Sequence, residues 1–246
     1  MIWLRSALFW LAIIILTPLF ALLGNLIRPL PPLQRYRIMS GWAKFMVPWL
    51  RLTCGLSYRV IGQENIPAGP AMVMCKHQSA WETMALQVFF PPQVWVMKRE
   101  ILKLPFFGWA ISTLSPIAID RTKRTSAQKM LMEQGRDRVA KGFWIVIFPE
   151  GTRVAPGKRG QYKHGGARLA VDVGVPIVPV ALNSGEFWPR NSFLKWPGEI
   201  TVVIGKPIET AGRTPHEITA EVEGWIEGEM AKIAVRGPHF PRSLDQ

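Results

Sequence analysis

Before Glu64 the chain has no aspartate or glutamate, and its 246 residues hold only two cysteines, Cys54 and Cys75. Two isolated cysteines build neither a disulfide framework nor a metal knuckle, and they suit a reducing compartment. Cys75 reads as a small buried side chain. Acidic residues are scarce throughout, 17 against 30 lysines and arginines, which leaves a formal net charge of +13. Such a balance favours anionic partners. Helix-turn-helix, RNA-binding aromatic and zinc-finger spacings are missing, so no nucleic-acid partner is expected. Hydrophobic residues make up 48% of the chain, which excludes a disordered basic tail. Basic and apolar together, the composition points to membrane lipids.

The charge pattern says where. The acid-free stretch carries seven cations: Arg5, Arg28, Arg35, Arg37, Lys44, Arg51 and Arg59. From Ser6 to Ile27 no charge occurs, and at ~1.5 Å per residue this run reaches across the ~30 Å hydrocarbon layer. It is too long for a signal-peptide apolar region, so a retained anchor is expected. Pro18 inside it predicts a kink, leaving a single span and a re-entrant hairpin both open. Arg28, Arg35, Arg37 and Lys44 outweigh Arg5 across the run, predicting an inner-membrane protein whose globular part faces the cytoplasm. A second segment from Gly41 mixes Trp42, Phe45 and Trp49 with Lys44 and Arg51, as interfacial helices do. Residues 1–56 therefore read as a membrane-anchoring helical segment, and residues 57–246 as one α/β domain.

In that domain, short apolar runs alternate with helical stretches. Strands are predicted near Tyr58–Ile61, Ala71–Cys75, Val94–Met97, Ile117–Ile119, Trp144–Phe148, Ile177–Ala181 and Thr201–Ile204. Helices are predicted around Trp81–Phe89, Ser126–Lys141, Gly165–Val173 and Pro215–Val235. The runs are continuously apolar, which predicts a mixed, mostly buried sheet of about seven strands with surrounding helices. The last helix carries Glu217, Glu221, Glu223, Glu227 and Glu229, read as a solvated face.

Four segments could carry chemistry. In Lys76-His77-Gln78-Ser79-Ala80-Trp81-Glu82, at a strand-to-helix junction, a carboxylate five residues after a histidine could fix one imidazole nitrogen and leave the other as a general base. A structural histidine is the plain alternative. Pro149-Glu150-Gly151-Thr152-Arg153 follows a buried strand, where α/β sheets bind ligands, with a glycine for close approach and an arginine fork suited to phosphate. A tight turn with surface charges would look the same. Ile119-Asp120-Arg121 again puts an arginine just past a short strand, with Lys98 and Lys103 not far off in sequence. Val175 to Leu182 holds two prolines, which suits an edge strand or a tunnel wall.

In this order the four segments resemble the glycerolipid acyltransferases that include the 1-acylglycerol-3-phosphate acyltransferases, over roughly residues 55 to 210. The family's His-x-x-x-x-Asp is met by His77 with Glu82 in the acidic place. Its second motif ends in an arginine matched by Arg121, its Pro-Glu-Gly-Thr by Pro149–Thr152, and its proline-rich fourth motif by Val175–Val180. The resemblance implies acyl transfer from coenzyme A or acyl carrier protein thioesters, with no further cofactor and no metal. It makes His77 the base and Glu82 its orienting partner, with Arg121, Arg153, Lys98 and Lys163 around an acceptor phosphate. Glu150, Gly151 and Thr152 would meet the acceptor, and Val175, Pro176, Ile177 and Pro179 would line the acyl groove. Lysophosphatidate is the implied acceptor, ahead of glycerol 3-phosphate, lyso-ornithine lipid or another lysophospholipid. His164 reads as a surface histidine at a helix start. A metal-dependent hydrolase would want a His-Glu-x-x-His or a carboxylate-rich ligand set, and neither occurs. A non-enzymatic membrane-binding protein would explain the amino-terminal charges but not the ordered motifs.

Overall fold

The computed structural model describes residues 1–120 and 124–235 of the chain. Three helices come first: α1 (Ile2–Leu26), α2 (Pro32–Met39) and α3 (Gly41–Cys54). Gly55, at φ 67°, ends α3 in the left-handed conformation that glycine adopts without strain. The α/β part follows as β1 (Leu56–Ile61), β2 (Met72–Cys75), α4 (Trp81–Phe89), β3 (Gln93–Lys98), α5 (Phe107–Ser112), β4 (Ile117–Ile119), α6 (Arg124–Ala140), β5 (Trp144–Ile147), α7 (Gly165–Val173), β6 (Ile177–Leu182), β7 (Gly198–Ile204) and α8 (Pro215–Ile233). Thr214 and Glu217 form a reciprocal capping box that starts α8, with Pro215 in its first turn.

The seven strands form one sheet in the order β1-β7-β6-β2-β5-β3-β4. β6, β2, β5, β3 and β4 run parallel, β7 is antiparallel to β6, and β1 is parallel to β7. Every residue of β2, β5 and β6 is buried, the signature of strands covered on both faces. The parallel direction brings the carboxyl ends of β2, β5, β3 and β4 to one edge. His77 follows the first of these strands and Pro149–Arg153 the second, while Lys98 ends the third.

β6 corrects one expectation. It lies between β7 and β2 instead of at an edge. Pro179 sits opposite Gly205, just past the end of β7; its carbonyl still accepts from Gly205 N–H, and only the reciprocal bond is given up.

The first helix runs unbroken past the proline expected to kink it. α1 is continuous through Pro18 and docks along its length. Arg5 Nε donates to the Thr53 carbonyl, Phe9 packs edge-on against Trp188, and Gly24 approaches Thr113 closely. The core accordingly runs without a break from Phe9, Tyr36 and Met46 into the sheet. The opposite side of α1 exposes Leu4, Leu8, Leu11, Ile15, Leu19, Leu22 and Leu26, a helical stripe left uncovered among the described residues.

Near the amino-terminal end of α1, the Lys195 side chain is fully buried. Its ammonium stands 3.8 Å from the Trp10 ring and 4.7 Å from the Trp188 ring, and it donates to the Phe193 carbonyl at 2.7 Å.

Candidate active site

The strand end of β2 is built around two carboxylates. Glu82, in the first turn of α4, is fully buried and folds back on the turn that precedes it. Its Oε1 accepts from the backbone N–H groups of Gln78 and Ser79, both at 2.8 Å, and from Ser184 Oγ at 2.6 Å. Ser79 reciprocates by accepting from Trp81 N–H, a local version of the Ser-x-x-Glu cap. The other carboxylate oxygen lies 3.9 Å from His77 Nδ1, an ion-pair distance longer than a hydrogen bond. Catalytic contacts of this kind often shorten only when substrate is bound. Burial pushes the Glu82 carboxyl up to about 7, against the pull of its hydrogen-bond donors. The His77 ring also stacks on Phe148, with centroids 3.8 Å apart. Two flat contacts, Glu82 on one edge and Phe148 on one face, thus fix the ring plane.

Glu150 faces the other way from the expectation. Its side chain is fully buried and bonded to Lys76 Nζ at 2.7 Å and to His77 N–H at 3.0 Å. It holds the strand end together and has no surface in the cavity, so it is not in position to meet acceptor hydroxyls. Removing one partner of such a buried pair costs about 3–5 kcal/mol, because the other charge is left unpaired. Gly151 sits at φ 69°, and a Cβ there would fall 2.9 Å from Lys163 Nζ. The positive φ favours glycine at this point. The exposed Lys163 therefore lies against the Pro149–Arg153 turn.

Beside these groups opens a cavity of about 670 Å³. At one end its wall is polar: His77, Lys98, Gly151, Thr152, Arg153, Arg190 and Asn191. Elsewhere it is mostly apolar, formed by Trp10, Ile13 and Phe20 of α1, by Met39, Trp42, Met84 and Trp95, and by Ala110, Ile111 and Leu114, with Thr17, Thr83 and Gln87 among them. The arrangement joins an imidazole, several cations and a mostly apolar chamber, which suits an amphiphile with an anionic head. Imidazole Nδ1 turned to a carboxylate leaves Nε2 as the atom able to take a proton.

The structure thus gathers His77, Glu82, Lys98, Gly151, Thr152 and Arg153 at one place, with Lys163 beside them. Arg121 lies outside the described residues. Val175, Pro176, Ile177 and Pro179 belong elsewhere. Val175 and Pro176 lead into β6, where Ile177 and Pro179 pair with β2, and none lines the cavity. The apolar chamber is built instead from α1, α5 and β3. Sequence reasoning missed Ser184, whose hydroxyl holds Glu82, and Trp188, Arg190 and Asn191 in the wall. The signal for Ser184 was present, since it follows β6 at the same sheet edge. For α1 there was none, because an anchor and a cavity wall ask for the same apolar residues.

Comparison with known proteins adds relatives to this geometry. A family model described as Acyltransferase matches residues 57–183. The chain is 42% identical over 235 residues to a 1-acyl-sn-glycerol-3-phosphate acyltransferase of Pseudomonas aeruginosa, covering 94% of this chain and 91% of that protein. It is 32% identical to a protein of the same name from Saccharomyces cerevisiae, over 69% of this chain and 57% of the relative. Against an algal relative from Chlamydomonas reinhardtii it spans 46% of that protein's length. In fold it resembles the crystal structure of a 1-acyl-sn-glycerophosphate acyltransferase from Thermotoga maritima, with a TM-score of 0.77 at 23% identity, over 93% of this chain and 94% of the other.

Proposed function

We propose that this chain, which belongs to the acyltransferase family, moves a fatty acyl group from a thioester donor to the sn-2 hydroxyl of 1-acylglycerol 3-phosphate. The observation that carries the reading is one cavity of about 670 Å³ in which an oriented imidazole, an arginine and a mostly apolar chamber meet. His77 Nε2 takes the hydroxyl proton as the oxygen attacks the thioester carbonyl. The tetrahedral oxyanion collapses, the C–S bond breaks, and the imidazolium returns the proton to the departing sulfur. Glu82 holds the ring and offsets its transient positive charge. No enzyme nucleophile is needed, because the donor is already activated. Arg153, with Lys98 and Lys163 nearby, holds the acceptor phosphate, and Arg121 is proposed to join them. The donor is coenzyme A or acyl carrier protein, both anionic and both suited to a cationic rim.

Membrane placement follows from α1. A helix docked along the domain cannot cross a bilayer alone without drawing the domain in. The exposed stripe of α1, with Phe45 and Leu52 on α3 and Phe106, Phe107 and Trp109 at α5, is read as lying in one leaflet. The proposed surface is the cytoplasmic face of the inner membrane, which the downstream cations Arg28, Arg35 and Arg37 favour.

The test is an acceptor panel: purified full chain in detergent, lysophosphatidate, lysophosphatidylcholine and glycerol 3-phosphate as acceptors, and both thioester types as donors. Preference for lysophosphatidate is expected. Equal use of the phosphocholine acceptor would remove the phosphate clamp from the account.

A further inference from the structure

Lys76, the residue before His77, carries an ammonium sealed between two carboxylates. Glu150 Oε1 and Glu227 Oε1 each lie 2.7 Å from its Nζ. The second Glu150 oxygen accepts from His77 N–H at 3.0 Å, and the His77 carbonyl accepts from Val154 N–H at 2.8 Å. The peptide that bears the imidazole is therefore gripped on both sides by the loop that bears Arg153. Lys76 in turn fixes the carboxylate that does the gripping.

Glu227 belongs to none of the four motif segments. It comes from α8, whose acidic side chains read from sequence as a solvated face, and it also accepts from the Tyr162 hydroxyl at 2.8 Å. One turn earlier, Glu223 pairs with Arg159 at 2.7 Å, tying α8 to the same loop. Neither Lys76, Glu150 nor Glu227 lines the cavity. A single buried cation shared by two carboxylates has little freedom, since any displacement of α8 leaves charge unpaired in a low-dielectric interior.

We propose that Glu227 is a positioning residue for acyl transfer: through Lys76 and Glu150 it sets where the His77 imidazole stands relative to Arg153, without touching substrate. The inference rests on the acyltransferase reading above, and misplacement by about 1 Å in such a site costs on the order of 100-fold in rate.

The test uses full-length Glu227→Ala and Glu227→Gln, with Glu221→Gln as control; Glu221 pairs with Arg213 at the start of the same helix. With lysophosphatidate and a palmitoyl thioester, Glu227→Ala is expected to lower kcat about 10- to 100-fold. The acceptor KM should stay within about twofold, because no substrate contact is lost. Glu227→Gln, which keeps an acceptor for Tyr162 but loses the charge, should fall between Glu227→Ala and wild type. In a double-mutant cycle the losses from Glu227→Ala and Glu150→Gln should be less than multiplicative. A second readout needs no turnover: selectively labelled His77 imidazole resonances should shift in Glu227→Ala and stay in place in Glu221→Gln. Wild-type kcat in folded Glu227→Ala, a loss confined to acceptor KM, multiplicative losses, or unmoved His77 resonances would each overturn the proposal. Absence of phosphatidate synthesis by wild type would instead overturn the acyltransferase reading, and the His77 resonances would still judge the positioning role.

Discussion

The two ends of the cavity are built on opposite principles. At the polar end Glu82, His77 and Gly151 are fixed through the backbone. Glu82 is held by the Gln78 and Ser79 N–H groups, His77 by Glu150 and Val154, and Gly151 by a positive φ. Little there can adapt. At the apolar end the wall is made of side chains from α1, α5 and β3, and the cation beneath it, Lys195, is cushioned by aromatic rings instead of carboxylates. The acid-free stretch before Glu64 supplies α1 to that wall, and burial lowers the Lys195 ammonium to about 7. Geometry at one end has to be exact to within a bond length, while volume is what matters at the other. Substitutions at the polar end should thus change rate or acceptor binding, and substitutions at the apolar end should change which chain is accepted.

The largest break in that contrast is His77→Ala, expected to lower kcat by about 10²- to 10⁴-fold with the fold intact by circular dichroism. Next comes Glu82→Gln, expected to cost about 10² in kcat, and its pH behaviour sharpens the comparison further. Since burial raises Glu82 from 4.5 to about 7, the folded chain keeps that proton where the unfolded chain has released it. The stability from the protonated form is complete below about pH 4.5 and is lost as pH rises through about 7, roughly 3 kcal/mol in all. Activity needs the carboxylate and runs the opposite way, rising through an apparent pKa near 7. Melting temperatures and kcat between pH 5 and 8 should therefore slope in opposite directions in wild type, and Glu82→Gln should flatten the melting-temperature slope.

Arg153→Ala should lower kcat/KM for lysophosphatidate about 10- to 100-fold, mostly through acceptor KM, while the donor KM moves less. A similar loss on an acceptor without phosphate would show that Arg153 serves structure. The smallest effect belongs to the apolar end. Ala110→Trp should shorten the preferred acyl chain, changing the ratio of palmitoyl to lauroyl use by about tenfold with little change in the best kcat. Unchanged chain preference would move the acyl chamber elsewhere.

The sheet was legible in the sequence because parallel, doubly covered strands are written as unbroken apolar runs, and β2, β5 and β6 are such runs. The polar end of the site was legible for a related reason. In a parallel sheet the residues after each strand share one edge, so His77 and Gly151–Arg153 could be expected together. Glu150 was misjudged because a carboxylate in a ligand-binding turn looks alike whether it faces substrate or a lysine, and its partner Lys76 is remote in sequence. Two prolines in Val175–Leu182 suited an edge or a tunnel wall alike, whereas β6 lies inside the sheet and its first residues do not line the cavity. α5 was missed since six residues are too few to show a helical period.

The central claim is that the polar end joins a thioester to an acceptor hydroxyl, and the most direct measurement follows both products of that step together. Full-length protein in detergent is given an acyl thioester with and without lysophosphatidate, with free thiol recorded by a chromogenic reagent and phosphatidate by mass spectrometry. The account predicts one thiol released per phosphatidate formed, and almost none when the acceptor is left out. Thiol release that ignores lysophosphatidate, with free fatty acid in place of phosphatidate, would contradict it.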